Sequence, residues 1–225
     1  MSLFGDKPVA IINFKTYEES TGVKGVELAL ICEKVAKETG KEIWIAVHPT
    51  DIRNIVSAVS IPVLCQHADP VLYGAYTGWL PPMMLKEMGA KGTLLNHSEH
   101  QMPLDVLETT VSLCRKAGLS IVICADTPSK AGEVAKFKPD YVAIEPPELI
   151  GGEISVSTAQ PEIITESVHN VRAEAQIPVL CGAGIKNAQD VKKAIELGAK
   201  GILVASGVTK SNDPEKAIRD LVSGF

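Results

Sequence analysis

Four stretches of this sequence combine residue types that can do chemistry. Asn13-Phe14-Lys15 sets an amide and an ammonium on either side of an aromatic ring that must point the other way. Lys15 there can meet a phosphate or an enolate, or it can be a solvated loop lysine paired with Glu18 or Glu19. In Asn96-His97-Ser98-Glu99-His100-Gln101, Ser98 and Gln101 stand at the S-x-x-Q spacing of a capping box, which predicts a short helix beginning right after His97. The positive end of such a helix disfavours imidazolium and holds His97 neutral, able to donate a hydrogen bond to a carbonyl oxygen. His97 and His100 with a glutamate between them could instead suggest a metal. Their spacing is not H-E-x-x-H and no third ligand is evident, so no metal is expected.

The third stretch, Glu145-Pro146-Pro147-Glu148-Leu149-Ile150-Gly151-Gly152, follows the apolar run Tyr141-Val142-Ala143-Ile144. A carboxylate at the end of such a run is costly to bury, and desolvation raises its pKa toward that of a useful general base. Two prolines make a stiff hinge and two glycines a pliable tip, so the segment reads as a lid over a site, or else as an ordinary long loop with a charged first residue. The fourth feature is a pair of small-residue stretches, Cys181-Gly182-Ala183-Gly184-Ile185 and Val204-Ala205-Ser206-Gly207, where main-chain N–H groups can converge on an anion. The G-x-G here lacks the third glycine and distant acid of a dinucleotide fingerprint, so NAD is not expected.

Each feature lies at the end of a short apolar, β-branched run. Eight such runs are present: Val9–Phe14, Ile43–Val47, Pro62–Gln66, Gly92–Leu95, Ser120–Ala125, Tyr141–Ile144, Pro178–Cys181 and Gly201–Ala205. Continuous rather than alternating hydrophobicity is the mark of parallel strands covered on both faces. Between the runs, apolar residues recur at helical spacing: Leu28, Ile31 and Val35; Leu104, Leu107, Val111 and Cys114; Ala188, Val191, Ile195 and Gly198. Gly89, Gly118 and Gly198 follow helices they can close in a left-handed conformation. Eight strand–helix units can spread into a doubly wound sheet or close into a barrel; their regularity and number favour a (β/α)8 barrel, with functional groups at the carboxyl ends of the strands.

With 225 residues, 45% of them hydrophobic, the chain is expected to form one domain over residues 1–225. The net charge is −5 and its cations are scattered, so neither a nucleic acid nor an anionic membrane is an expected partner. No apolar stretch approaches the roughly 18 residues of a spanning helix, and residues 1–6 lack a signal layout, which predicts a soluble, cytoplasmic protein. The five cysteines, an odd number without a C-x-x-C pair, are expected to be buried, reduced thiols.

Asn13-x-Lys15, His97-Ser98-Glu99, Glu145-Pro146 followed by Ile150-Gly151, and the paired small-residue loops resemble the triosephosphate isomerases, in order and along essentially the whole chain. The resemblance implies interconversion of glyceraldehyde 3-phosphate and dihydroxyacetone phosphate in glycolysis and gluconeogenesis, without a cofactor. It implies that Glu145 takes the proton from carbon, that neutral His97 polarises and relays between the oxygens, and that Lys15 stabilises developing negative charge. Asn13 would orient these groups, while the backbone at Ile150, Gly151, Gly184, Ala205, Ser206 and Gly207 would hold the phosphate. The segment Gly74-Ala75-Tyr76-Thr77-Gly78 looks like the family's protruding loop, which reaches into a neighbouring subunit and implies an obligate homo-oligomer.

The sequence departs from the commoner family pattern at three places. Asn96 stands where a glycine precedes the histidine, Glu148 replaces a hinge tryptophan, and Cys181-Gly182-Ala183-Gly184 replaces Tyr-Gly-Gly-Ser. With the short chain, these features are similar to the compact archaeal branch, whose members are often tetramers; a tetramer is therefore expected over a dimer. Another phosphate-binding barrel, such as an indole- or thiamin-pathway synthase, or a catalytically silent barrel serving as an assembly partner, would share the last two loops but has no need of Lys15, His97 and Glu145 together.

Overall fold

The computed structural model describes residues 7–146 and 160–225. In chain order its elements are β1 (Val9–Asn13), α1 (Gly22–Thr39), β2 (Glu42–Val47), α2 (Ile52–Ala58), β3 (Val63–Cys65), α3 (Pro82–Glu87), β4 (Gly92–Leu95) and α4 (Leu104–Lys116). They continue as β5 (Ser120–Ala125), α5 (Pro128–Ala135), β6 (Tyr141–Ile144), α6 (Pro161–Glu174), β7 (Val179–Cys181), α7 (Ala188–Glu196), β8 (Gly201–Val204), α8 (Ser206–Thr209) and α9 (Pro214–Ser223). The eight strands form a closed barrel in sequence order, every pair parallel, with β8 returning to β1. The expected (β/α)8 architecture is thus present, and each expected strand lies within one or two residues of its run.

The barrel has two apolar layers because side chains alternate along each strand. One cluster fills the interior and includes Val9, Ile11, Trp44, Leu64, Leu94, Val122, Cys124, Tyr141, Ala143, Leu180 and Leu203. The other lies between strands and helices and takes the alternate residues, among them Ala10, Ile12, Phe14, Ile43, Ile45, Leu95, Val142 and Ile144. This double covering is why the runs are continuously hydrophobic. Neighbouring strands approach closely at two glycines: Gly201 pairs with Val9 at φ 151° and a Cβ there would run into the Val9 carbonyl oxygen, and a Cβ on Gly92 would run into the Ser120 carbonyl oxygen.

Gly89, Gly118 and Gly198 have φ of 104°, 69° and 101°, as their places after helices suggest. All five cysteines are buried free thiols, and burial pushes Cys65, Cys114 and Cys181 up to about 12. The helix expected directly after His97 is absent. Residues 98 and 99 form a turn instead, and the next helix, α4, begins at Leu104. Pro103 explains the difference: inside a helix started at Ser98 it would lack an N–H and clash with the carbonyl four residues back.

Candidate active site

Alternation along the strands decides which side chains reach the barrel mouth. Val9 and Ile11 point inward, so Asn13 does too, and Tyr141 and Ala143 likewise aim Glu145 inward. Phe14 has the opposite parity and is completely buried in the outer layer, where it pins the segment between Asn13 and Lys15. Ser20 adds a second anchor, its hydroxyl donating to the Phe14 carbonyl at 2.5 Å. Lys15 itself is left-handed, with φ 51°.

One cavity of about 510 Å³ brings together Asn13, Lys15, His97, Glu145, Gly184, Ala205, Ser206 and Gly207. Ile150 and Gly151, as well as Glu148, lie outside the described residues. His97 Nε2 is 3.5 Å from Glu145 Oε1, and both residues are more than nine-tenths buried. His97 Nε2 and Glu145 Oε2 have no hydrogen-bond partner among the described residues. Buried polar atoms are rarely left so, because each carries an uncompensated loss of hydration. These two adjoin the same cavity, where a bound polar molecule would satisfy them.

Lys15 pairs with Glu99, Nζ to Oε1 at 2.7 Å, and not with Glu18, which binds Lys24, nor with Glu19. Its ammonium is thereby fixed beside the cavity. Gln66 ties down the same corner by donating to Asn13 Oδ1 and to the carbonyls of Lys15 and Ala46 at 2.9–3.2 Å. Glu99 stands in the His97-Ser98-Glu99 motif but its contacts are not foreseen there, and Gln66 is no candidate from the sequence. Gln66 was legible in principle, as a polar residue ending an apolar run, whereas the Lys15–Glu99 pair spans 84 positions and has no local signature.

Glu99 also sets the state of His97. Its N–H donates to His97 Nδ1 at 3.1 Å, a bond that needs a lone pair on that nitrogen and leaves the ring proton on Nε2. The helix end expected to keep this ring neutral is absent, and a turn amide on Nδ1 stands in its place. Burial lowers the basicity of the ring while the adjacent Glu145 carboxylate raises it, with a net upward shift from the ordinary imidazole value. As pH falls through that raised value the ring gains a proton, and the neutral imidazole is lost. Removing the carboxylate charge with Glu145→Gln leaves burial as the principal influence, so His97 is expected to titrate at lower pH in this variant than in the parent. A ring titration followed by nuclear magnetic resonance checks this; an unchanged or higher value would contradict it.

His100, the other histidine of this segment, stacks on His67 with centroids 4.0 Å apart. Behind Glu145 lies Gly182, where a Cβ would collide with the Glu145 Cγ. Gly182→Ala is expected to displace the carboxylate and lower turnover about tenfold or more, by the usual penalty for misplacing a reacting group, with little loss of folding cooperativity. Kinetics alongside thermal unfolding separates the two effects.

A protein-family model described as triosephosphate isomerase matches residues 8–223. The chain belongs to the triosephosphate isomerase family. Proteins named triosephosphate isomerase from Methanocaldococcus jannaschii and Methanobacterium bryantii are each 46% identical to it; the matches cover 94% and 99% of this chain, and 97% and 99% of theirs. One from Sulfurisphaera tokodaii is also 46% identical, over 96% of this chain and 94% of its own. The solved triosephosphate isomerase of Bartonella henselae superposes with a TM-score of 0.72 at 19% identity, covering 96% of this chain and 97% of that one, a likeness of fold. The parallel barrel and the grouping of residues from β1, β4, β6, β7 and β8 at one mouth are the setting in which this family member's chemistry must be read.

Proposed function

We propose that this family member interconverts D-glyceraldehyde 3-phosphate and dihydroxyacetone phosphate, as a step of glycolysis and gluconeogenesis. The observation that supports this most strongly is the buried pair of unpartnered atoms, His97 Nε2 and Glu145 Oε2, beside the Lys15 ammonium in one cavity. Glu145 takes a proton from C1 of dihydroxyacetone phosphate. His97 Nε2–H bonds the C2 oxygen as negative charge grows there, passes it a proton, and recovers one from the hydroxyl on C1. Glu145 then returns its proton to C2, completing the aldehyde. Lys15 stabilises the enediolate and the phosphate, and Asn13, which accepts the Lys15 N–H at 3.0 Å, orients that turn.

Gly184, Ala205, Ser206 and Gly207 form the phosphate end of the reading. The first turn of α8 leaves N–H groups at Ser206 and Gly207 that no earlier helical carbonyl can satisfy, a usual arrangement for phosphate in such barrels. Ile150 and Gly151 complete this end as a closing lid in our proposal. No metal or organic cofactor takes part. A coupled assay with purified protein tests the activity, and 2-phosphoglycolate, an enediolate mimic, tests the site. Absence of both turnover and binding would leave another phosphate barrel or a silent barrel as the better reading.

We also propose that residues 1–225 act as one cytoplasmic domain that assembles into a homotetramer of the archaeal type. Leu72, Tyr73, Tyr76 and Trp79, on and beside the protruding segment, are about half exposed, and Asp69 clasps the base of this segment through both the N–H and the C=O of Leu80. A second cavity of about 300 Å³ beside Asn13, Lys15, Gln66 and Glu99 offers the corresponding loop of another copy a seat. Among the described residues no helix is long and apolar enough to cross a membrane. Light scattering should give four times the 24.0 kDa of one chain; twice that mass would favour the dimer.

A further inference from the structure

The alternation that aims Asn13 and Glu145 into the cavity should aim His97 away from it. Leu94 belongs to the barrel interior and Leu95 to the outer layer, so a continued strand would turn Asn96 inward and His97 outward. His97 nevertheless lines the cavity beside Glu145. The reversal happens at Asn96, whose φ of 59° is left-handed. L-residues avoid this region, and asparagine tolerates it best among side chains because its short amide can bond locally.

Both ends of that amide are in use. Asn96 Nδ2 donates to the Cys124 carbonyl at 2.9 Å, and Asn96 Oδ1 accepts the Met102 N–H at 2.9 Å. The first bond extends the β4–β5 ladder: its last backbone pair is Leu95 with Ile123, so Asn96 and Cys124 come next, and a side chain supplies the missing rung. Cys124 belongs to the barrel interior, where burial and the Glu145 carboxylate raise its thiol well above the ordinary value. The second bond closes the segment from His97 to Met102 onto its own start. That segment carries the Glu99 N–H on His97 Nδ1 and the Glu99 carboxylate on Lys15.

We infer that Asn96 is a positioning residue, a two-ended clip that turns His97 into the cavity, holds it at its distance from Glu145 and keeps the turn that selects its tautomer. The inference rests on the isomerase reading of the site and concerns a residue that does not touch substrate. Its side chain lies on the other side of the strand end, with Gln101, Met102 and Asp126.

Asn96→Gly tests it, because glycine adopts the left-handed backbone without strain while both side-chain bonds disappear. The expected result is a folded protein whose kcat falls about 30-fold, with KM changed by less than about threefold, as for a reacting group moved by a fraction of an ångström. The nitrogen signals of His97 should shift from one tautomer toward a mixture. A merely structural residue would lower the melting temperature and move neither readout. Asn96→Asp keeps the acceptor for Met102 and replaces only the donor to Cys124. Its kcat relative to the parent should be low at neutral pH and recover as acidification gives the new carboxyl a proton to donate.

Turnover of Asn96→Gly within about twofold of the parent, with an unchanged His97 tautomer, would overturn the inference. If Asn96→Gly does not fold, parent-like turnover of Asn96→Asp at neutral pH would overturn it in the same way. A parent protein without isomerase turnover would remove the functional reading instead, while the His97 nitrogen signals would still report whether the clip holds the ring.

Discussion

Glu145→Asp should lower kcat about a hundredfold or more and change the affinity for 2-phosphoglycolate far less. The carboxylate ends β6 at a fixed inward position, held by its N–H on the Ala125 carbonyl at 2.8 Å and backed by Gly182. Removing one methylene withdraws the oxygens by about 1 Å, and a strand cannot slide forward to compensate. Misplacement on that scale costs about two orders of magnitude in rate, and general-base catalysis as a whole contributes about 10²–10⁴. In the proposed reading, ground-state binding draws on the loops at Gly184 and Ser206, which the substitution does not touch. Equal losses in turnover and in affinity would count against Glu145 as the base.

Lys15→Met should act on both parameters, raising KM and lowering kcat, with kcat/KM falling about a thousandfold or more. The variant loses the ammonium proposed to face the substrate and also removes the partner of Glu99, leaving that carboxylate beside the cavity with no cation to offset it. Lys15 is only 10% exposed but Glu99 is 59% exposed, so solvent screens much of the charge left behind, and pairs of this kind contribute about 0.2–1 kcal/mol. The double variant Lys15→Met/Glu99→Gln should therefore recover a small part of the loss, up to about fivefold. No recovery would show that the stranded carboxylate contributes nothing, and a loss of only a few-fold in Lys15→Met would remove the lysine from the mechanism.

Most of the barrel was legible in the sequence, because strands covered on both faces must be hydrophobic throughout, and Gly92–Leu95, Ser120–Ala125 and Tyr141–Ile144 occur as read. Glu145 was legible for the same reason in reverse, as a charge where apolar residues end. His97 was legible by its type, but the helix end that would have held it neutral does not form, and the adjacent Glu145 carboxylate helps raise the ring above its ordinary value. Ser98 and Gln101 have the spacing of a capping box, yet Pro103 bars the helix, Gln101 bonds Asp126, and a turn amide from Glu99 takes over. Pro103 was in plain view and outweighs the box.

What the sequence could not show are relations between distant strands. Glu99 meets Lys15, Gln66 meets Asn13, Gly182 leaves room for Glu145, and Asn96 reaches across to Cys124. None of these has a period or a spacing. The departure of Asn96 from the family's usual glycine was visible as a departure, but its left-handed backbone, which suits either residue, is visible only in three dimensions.

The central claim is that Glu145 carries a proton between two carbons of a triose phosphate while His97 serves the oxygens. Incubating the protein with dihydroxyacetone phosphate in heavy water and following the carbon-bound hydrogens by nuclear magnetic resonance tests it most directly. The expected result is glyceraldehyde 3-phosphate carrying deuterium at C2 from the parent protein, with neither product nor exchange at C1 above background from Glu145→Gln. Exchange by Glu145→Gln at the parent's rate, or a parent that leaves the C1 hydrogens untouched, would contradict it.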